Sequence, residues 1–121
     1  MSAFYVVSVK HTQREQPYIT FWRPDNKGYA WPLSWAGQYS EAEVAADLEY
    51  YHNGYDSFAI PCALMDSLAV PPALGTIDNN AGPVVMNTKL NWKFLIEFAK
   101  PGVLAKPNPQ YKGARRHKES T

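Results

Sequence analysis

Five short stretches of the chain carry apolar residues in the alternating or β-branched pattern that is typical of β-strands. Their apolar positions are mainly Val, Ile, Phe, Tyr and Trp, and turn-forming residues stand between them. The pattern predicts strands over Ala3–Lys10, Tyr18–Arg23, Tyr29–Leu33, Asp56–Ile60 and Trp92–Phe98.

Two helices are predicted from local end signals. Ser40 and Glu43 stand in the spacing of a capping box, in which each side chain bonds the other residue's backbone N–H. Apolar residues at helical spacing continue to about Asn53, and Gly54 suits the left-handed residue that ends a helix. Pro61 suits the first position of a second, shorter helix that continues to Leu68.

The order of these elements predicts an α+β fold, because strands come first, then a helix, then strands again. We expect a mostly antiparallel sheet of about four or five strands, with one long helix and one short helix packed on it. At 121 residues the chain has room for one core, which we place in a single globular domain over residues 1–99. Residues 100–121 contain several Pro and Gly residues and are predicted to form a flexible basic tail.

Charge is divided between these two parts. Residues 1–99 carry six Lys or Arg against ten Asp or Glu, and residues 100–121 carry six against one. A basic tail attracts phosphates, which makes nucleic acid an alternative partner, whereas a solvated end that only keeps the protein soluble is the simpler interpretation. The candidate nucleic-acid contacts are Lys112, Arg115, Arg116 and Lys118.

The composition also argues against several classes of protein. Cys62 is the single cysteine, so an internal disulfide is excluded and a reducing cytosol is favoured. No apolar run approaches the roughly 20 residues of a bilayer-spanning helix, and no secretory signal pattern opens the chain. The histidines His11, His52 and His117 form no close-spaced ligand pair. We therefore expect a cytoplasmic protein with no metal, no cofactor and no membrane partner.

Two groups of residues resemble parts of catalytic sites. Cys62 follows Pro61 at a predicted helix start, where the helix dipole lowers a thiol pKa, but its apolar surroundings favour a packing role. Glu43 and Asp47 form a carboxylate pair, but acid–base catalysis would need an apolar pocket around one of them. We therefore predict that the protein is not an enzyme.

The densest candidate chemistry lies in residues 18–39, which hold three of the four Trp residues. Trp22 and Arg23 beside a predicted turn have the composition of an interface hot spot. The other interpretation places the Trp rings in the core, and the small residues after Trp35 favour it for that ring. The predicted partner-binding residues are Trp22, Arg23, Asp25, Lys27 and Tyr29, with Glu43 and Asp47 as a second, acidic surface.

The same segment carries a resemblance to a known group of proteins. From Phe21 to Tyr39 it has the pattern FWxPxxxGYxxxLxxAGxY, and this pattern resembles small uncharacterised proteins of bacteriophages and prophages. The likeness covers residues 18–44 and carries over no catalytic residues. It implies an accessory protein inside a bacterial host cell that binds a host macromolecule. Proteins of that kind often bind and inhibit a host protein, including those of restriction or CRISPR-type defence.

Overall fold

The computed structural model describes residues 3–76 and 81–114. Within these ranges an antiparallel sheet of five strands is accompanied by short helices, which confirms the α+β class. The strands are β1 (Ala3–Ser8), β2 (Phe21–Trp22), β3 (Tyr29–Ala30), β4 (Tyr39–Ser40) and β5 (Ser57–Pro61).

Strand β1 lies at the centre of the sheet. One of its edges pairs with β5 along five residues, and its other edge is shared by β2 at Val7 and by β4 at Ala3 and Phe4. Since side chains alternate between the two faces of a strand, β1 contributes to two separate cores. Tyr5 and Val7 pack in the larger one with Trp92, whereas Phe4 and Val6 pack in the smaller one with Trp22.

Four α-helices are described, namely α1 (Glu41–Ala46), α2 (Leu48–Tyr51), α3 (Cys62–Asp66) and α4 (Lys89–Glu97). The predicted capping box is confirmed, because Glu43 N–H donates to Ser40 Oγ at 3.1 Å and Ser40 N–H donates to Glu43 Oε1 at 2.9 Å. The predicted single long helix is only partly present. It is interrupted at Asp47, whose φ of −149° and ψ of 69° lie outside the helical region.

The strand predicted over Trp92–Phe98 is wrong, because this stretch belongs to α4. Thr88 caps the helix by accepting a hydrogen bond from Asn91 N–H at 3.2 Å. Trp92 and Leu95, three residues apart, then lie on one helical face and are buried in the larger core.

The strand predicted over Tyr18–Arg23 is shortened to β2 because its first half pairs elsewhere. Ile19 N–H donates to Val85 O at 2.9 Å, and Tyr18 forms an isolated bridge with Met86. The chain around residue 85 therefore pairs with the residues that precede β2.

Residues 100–114, which the sequence assigned to a tail, lie against the sheet and helices. Lys100 N–H donates to Ala59 O at 2.9 Å, and Leu104 N–H donates to His52 O at 3.3 Å. Val103 and Tyr111 pack against the larger core. Residues 100–114 are packed because they cover the outer edge of β5, where unpaired backbone groups would otherwise be left.

His52 connects this segment to the sheet through both of its ring nitrogens. Nδ1 accepts a hydrogen bond from Ala59 N–H at 2.8 Å, and Nε2 lies 2.6 Å from Lys100 O. Because Nδ1 is an acceptor, Nε2 carries the proton and the ring is neutral. Burial is the main reason why the pKa of His52 is lowered from 6.5.

We expect the free energy of unfolding to fall as the pH drops below about 6.5. The unfolded chain takes up a proton on His52 at the ordinary pKa of 6.5, whereas the folded protein takes it up only at lower pH. Urea unfolding at a series of pH values measures this slope. Replacing His52→Phe should flatten this slope. An unchanged slope in that variant would contradict the assignment.

Candidate functional site

The hairpin formed by β2 and β3 is held in shape by Tyr39. The turn at Pro24–Asn26 has two residues with positive φ, Asp25 at 59° and Asn26 at 60°. The Tyr39 hydroxyl accepts a hydrogen bond from Asn26 N–H at 3.1 Å and donates one to Arg23 O. A strand outside the hairpin therefore fixes the backbone of the turn that carries the predicted binding residues.

Trp22 lies in the interior rather than on the surface, with 9% of the residue exposed. Its ring packs with three tyrosines at centroid distances between 5.1 and 6.3 Å. These are Tyr39, Tyr50 and Tyr51, which come from β4 and α2. The indole predicted to anchor a partner thus fastens the hairpin to α2.

Trp35, for which the small residues that follow it favoured a core position, is 45% exposed. The Arg23 guanidinium stands over its ring, 5.5 Å from the centroid, in a cation–π arrangement. Tyr29 is 47% exposed and stacks on His11 at a centroid distance of 3.9 Å. Arg23, Asp25, Lys27, Tyr29 and Trp35 are all exposed, and we call them the hairpin surface.

An open groove of about 450 Å³ adjoins the hairpin surface. Tyr29, Trp31 and Trp35 line it together with Pro32. The Trp31 indole N–H donates to Thr20 Oγ1 at 3.1 Å, which fixes the orientation of that ring. Large rings with few rotatable bonds in a fixed groove offer binding area at low entropic cost.

The second predicted surface lies on α1 and α2. We call Glu41, Glu43, Asp47 and Glu49 the acidic surface; all four are exposed. No Lys or Arg occurs between Lys27 and Lys89, a signal that the sequence analysis missed. Within the described ranges none of the four carboxylates forms an ion pair, so their charge is not neutralised locally.

The residues of the alternative nucleic-acid site are mostly outside the described part of the chain. Lys112 is exposed near the end of the packed segment. Arg115, Arg116 and Lys118 lie beyond residue 114.

Cys62 is half-buried at the first residue of α3 and packs against the larger core. Burial, and after it the Asp66 carboxylate, raises the pKa of the Cys62 thiol to about 11. Reactive cysteines have a lowered thiol pKa, so the raised pKa of Cys62 is the opposite of what a nucleophile needs. Among the described residues, moreover, no group of three or more His, Cys, Asp or Glu is placed to hold a metal ion.

The Cys62 thiol should therefore react slowly with iodoacetamide. At about pH 8, a pKa two units above the ordinary 9.0 lowers the thiolate fraction about hundredfold, and the greater nucleophilicity of such a thiolate recovers about tenfold. We expect alkylation in the native protein to be about tenfold slower than in urea, or slower still where access is limited. Mass spectrometry of timed samples measures both rates, and faster alkylation of the native protein would reopen a nucleophilic role for Cys62.

No protein-family model, curated protein or solved structure matches the chain. In residues 3–76 and 81–114, no helix has the length and apolar character needed to cross a membrane.

Proposed function

We propose that the protein works by binding a host macromolecule, with a protein as the favoured partner, and does not transform it. The observation that carries this proposal is the exposure of two large rings side by side with fixed geometry. Trp35 is held under the Arg23 guanidinium, and Tyr29 is stacked on His11. Trp, Tyr and Arg are the residue types that dominate binding energy at protein interfaces.

Charge supports a basic partner. The acidic surface lacks local counterions among the described residues, so it matches a groove that normally accepts nucleic acid. The resemblance of residues 18–44 to phage and prophage proteins supports a bacterial host cell as the setting. An inhibitor of a host defence system such as CRISPR or restriction fits both the acidic surface and this resemblance. Its association rate with a basic partner would fall with added salt.

Affinity capture from a bacterial lysate, followed by a binding titration with the captured protein, tests the proposal. Replacing Trp35→Ala together with Arg23→Ala should weaken binding about hundredfold, equivalent to about 3 kcal/mol. Phe98→Ala is the matched control, because that ring is 48% exposed but lies outside the hairpin surface. Equal binding by the double variant and the control would refute the proposed surface.

Nucleic acid remains the second candidate partner, supported by the excess of basic residues after residue 100. Because residues 100–114 are packed, the suitable deletion removes only residues 115–121. A DNA or RNA mobility shift that weakens with salt and disappears in this truncation would favour the nucleic-acid function. The absence of any shift with the full chain would exclude it.

A further inference from the structure

A second, more enclosed cavity of about 230 Å³ lies beside the hairpin, and we call it the hairpin cleft. Three parts of the chain that are distant in sequence contribute to its walls: the end of β1, the hairpin, and the chain from α2 to the start of β5. The residues that matter for the argument are Lys10, Trp22, Tyr29, Glu49, Tyr50 and Asp56.

The cleft brings opposite charges together without pairing them. Lys10 and Asp56 are fixed next to each other, because Lys10 N–H donates to Asp56 O at 3.1 Å. Even so, in the part of the chain that the structure describes, the Lys10 ammonium has no carboxylate within ion-pair distance, from either Asp56 or Glu49. A cavity lined by one lysine and two acidic residues offers complementary contacts to a ligand that carries both charges.

The cleft is also lined by a residue with a buried hydrogen-bond donor that no group in the described part of the chain satisfies. Trp22 is about nine-tenths buried and is one of the residues that line the cleft, yet among the described residues its indole N–H has no acceptor. The indole N–H of Trp92, which is fully buried, donates to Asn87 Oδ1 at 2.6 Å. Buried Trp N–H groups normally find a partner, and an unsatisfied one indicates an acceptor from outside the chain.

These observations distinguish between classes of ligand. A lone cation, such as the side chain of a partner's lysine or arginine, would suit Glu49 and Asp56 but would bring no acceptor for Trp22 N–H. A lone anion would leave the two carboxylates facing it. The volume of about 230 Å³ lies below the roughly 300–1,000 Å³ of sites for drug-sized ligands, which favours a small molecule.

We propose that the hairpin cleft binds a small zwitterion of the free α-amino acid class. Its carboxylate is taken by Lys10 and the Trp22 indole N–H, and its ammonium by Asp56 and Glu49. The rings of Tyr29 and Tyr50 receive its side chain. This is a small-molecule activity beyond the macromolecular binding proposed above, and the two share Tyr29 and Glu49.

The test is a titration of the full chain with each of the free L-amino acids, followed by NMR of the indole N–H signals. Trp22→Phe assigns the Trp22 signal, and the Trp92 signal is the internal control because that indole is already bonded in the core. We expect at least one amino acid to move the Trp22 signal with a Kd of about 1 mM or tighter while the Trp92 signal stays in place.

Charge variants and ligand analogues make the test specific. Lys10→Met and Asp56→Asn should each weaken binding about tenfold or more, because each removes a charged hydrogen-bond partner. Both residues are exposed and make their mutual contact through the backbone, so the fold is retained. The best ligand should lose similar affinity when its amino group or its carboxyl group is absent.

Three results would overturn the proposal. The first is that no amino acid moves the Trp22 signal at about 10 mM. The second is that an amine without a carboxylate, or a nucleoside, binds as well as the best amino acid. The third is that both charge variants bind like the original chain. None of these results bears on capture of a macromolecular partner by Trp35 and Arg23, so the two proposals fail separately.

Discussion

Replacing Asn87→Asp is expected to lower the free energy of unfolding by about 3–5 kcal/mol at neutral pH, although the two side chains have almost the same size. The Asn87 amide nitrogen lies between 3.0 and 3.2 Å from the carbonyl oxygens of Gln13, Gln16 and Gln110. Its side-chain oxygen accepts the Trp92 indole N–H. One buried amide therefore connects three parts of the chain, namely the loop that precedes β2, the helix α4 and the segment 100–114.

The substitution exchanges a donor for a charged acceptor at the point where three carbonyl oxygens converge. An ionised carboxylate there loses the donated hydrogen bonds, is repelled by the carbonyl dipoles and is poorly solvated because the site is buried. The pKa of the introduced carboxyl is therefore raised above the ordinary value of about 3.9. Its protonated form can donate again, so the deficit should be smallest below about pH 4 and should grow as the pH rises.

Urea unfolding of the two proteins at several pH values measures this effect. Asn108→Asp is the matched control, since it adds the same charge at a half-buried position whose side chain has no hydrogen bond in the described structure. The control should change stability by less than about 1 kcal/mol. A deficit of that small size for Asn87→Asp, or one that does not depend on pH, would contradict the role assigned to this amide.

Elements with strong local signals are the ones that could be predicted from the sequence. The capping box of Ser40 and Glu43 acts within one helical turn, and the apolar run of β1 is long enough to show its period. Helix α4 was missed because Trp92, Phe94, Ile96 and Phe98 alternate over only seven positions. Over so short a stretch both the strand period and the helix period fit the sequence. The Thr88 cap, which marks the start of a helix, is the signal that distinguishes the two.

The candidate site was predictable only in part, because tertiary contacts decide which rings are exposed. Trp22 is buried by tyrosines from β4 and α2, about 17 to 29 positions along the chain, which no pattern inside the hairpin could reveal. Trp35 stays exposed because its neighbour is the Arg23 side chain rather than the core. Gly37, as its small size suggested, allows two backbone segments to approach closely, since a Cβ there would lie 2.8 Å from the Pro24 backbone.

The hairpin cleft had no counterpart in the sequence analysis. Lys10, Glu49 and Asp56 come from separate elements, and no motif connects them. They meet because β1 pairs with β5 through its last residue, Ser8, which faces Ser57. The register of the sheet thus determines which charged residues line the cleft. These residues look like ordinary surface charges in the sequence, but the fold makes them neighbours.

Gly54→Ala is expected to cost about 3–5 kcal/mol, a loss comparable to that of Asn87→Asp. Gly54 has a φ of 93°, and a Cβ at this position would lie 1.7 Å from Ala105 O and 2.6 Å from its carbonyl carbon. Backbone, unlike a flexible side chain, cannot turn away, so the substitution should force the segment 100–114 off the edge of β5. The hydrogen bonds that His52 makes to Lys100 and Leu104 would be lost with it.

Gly75→Ala separates this steric effect from the intrinsic cost of a positive φ. Gly75 has a similar φ of 83°, but no atom of the described residues lies within 4 Å of the position its Cβ would take, so its replacement should cost only about 1–2 kcal/mol. Urea unfolding gives both values, and hydrogen exchange of the Leu104 amide reports whether the segment has detached. Protection of that amide should be lost in Gly54→Ala and kept in Gly75→Ala. Equal costs with full protection in both variants would show that residues 100–114 do not lie against Gly54 in solution.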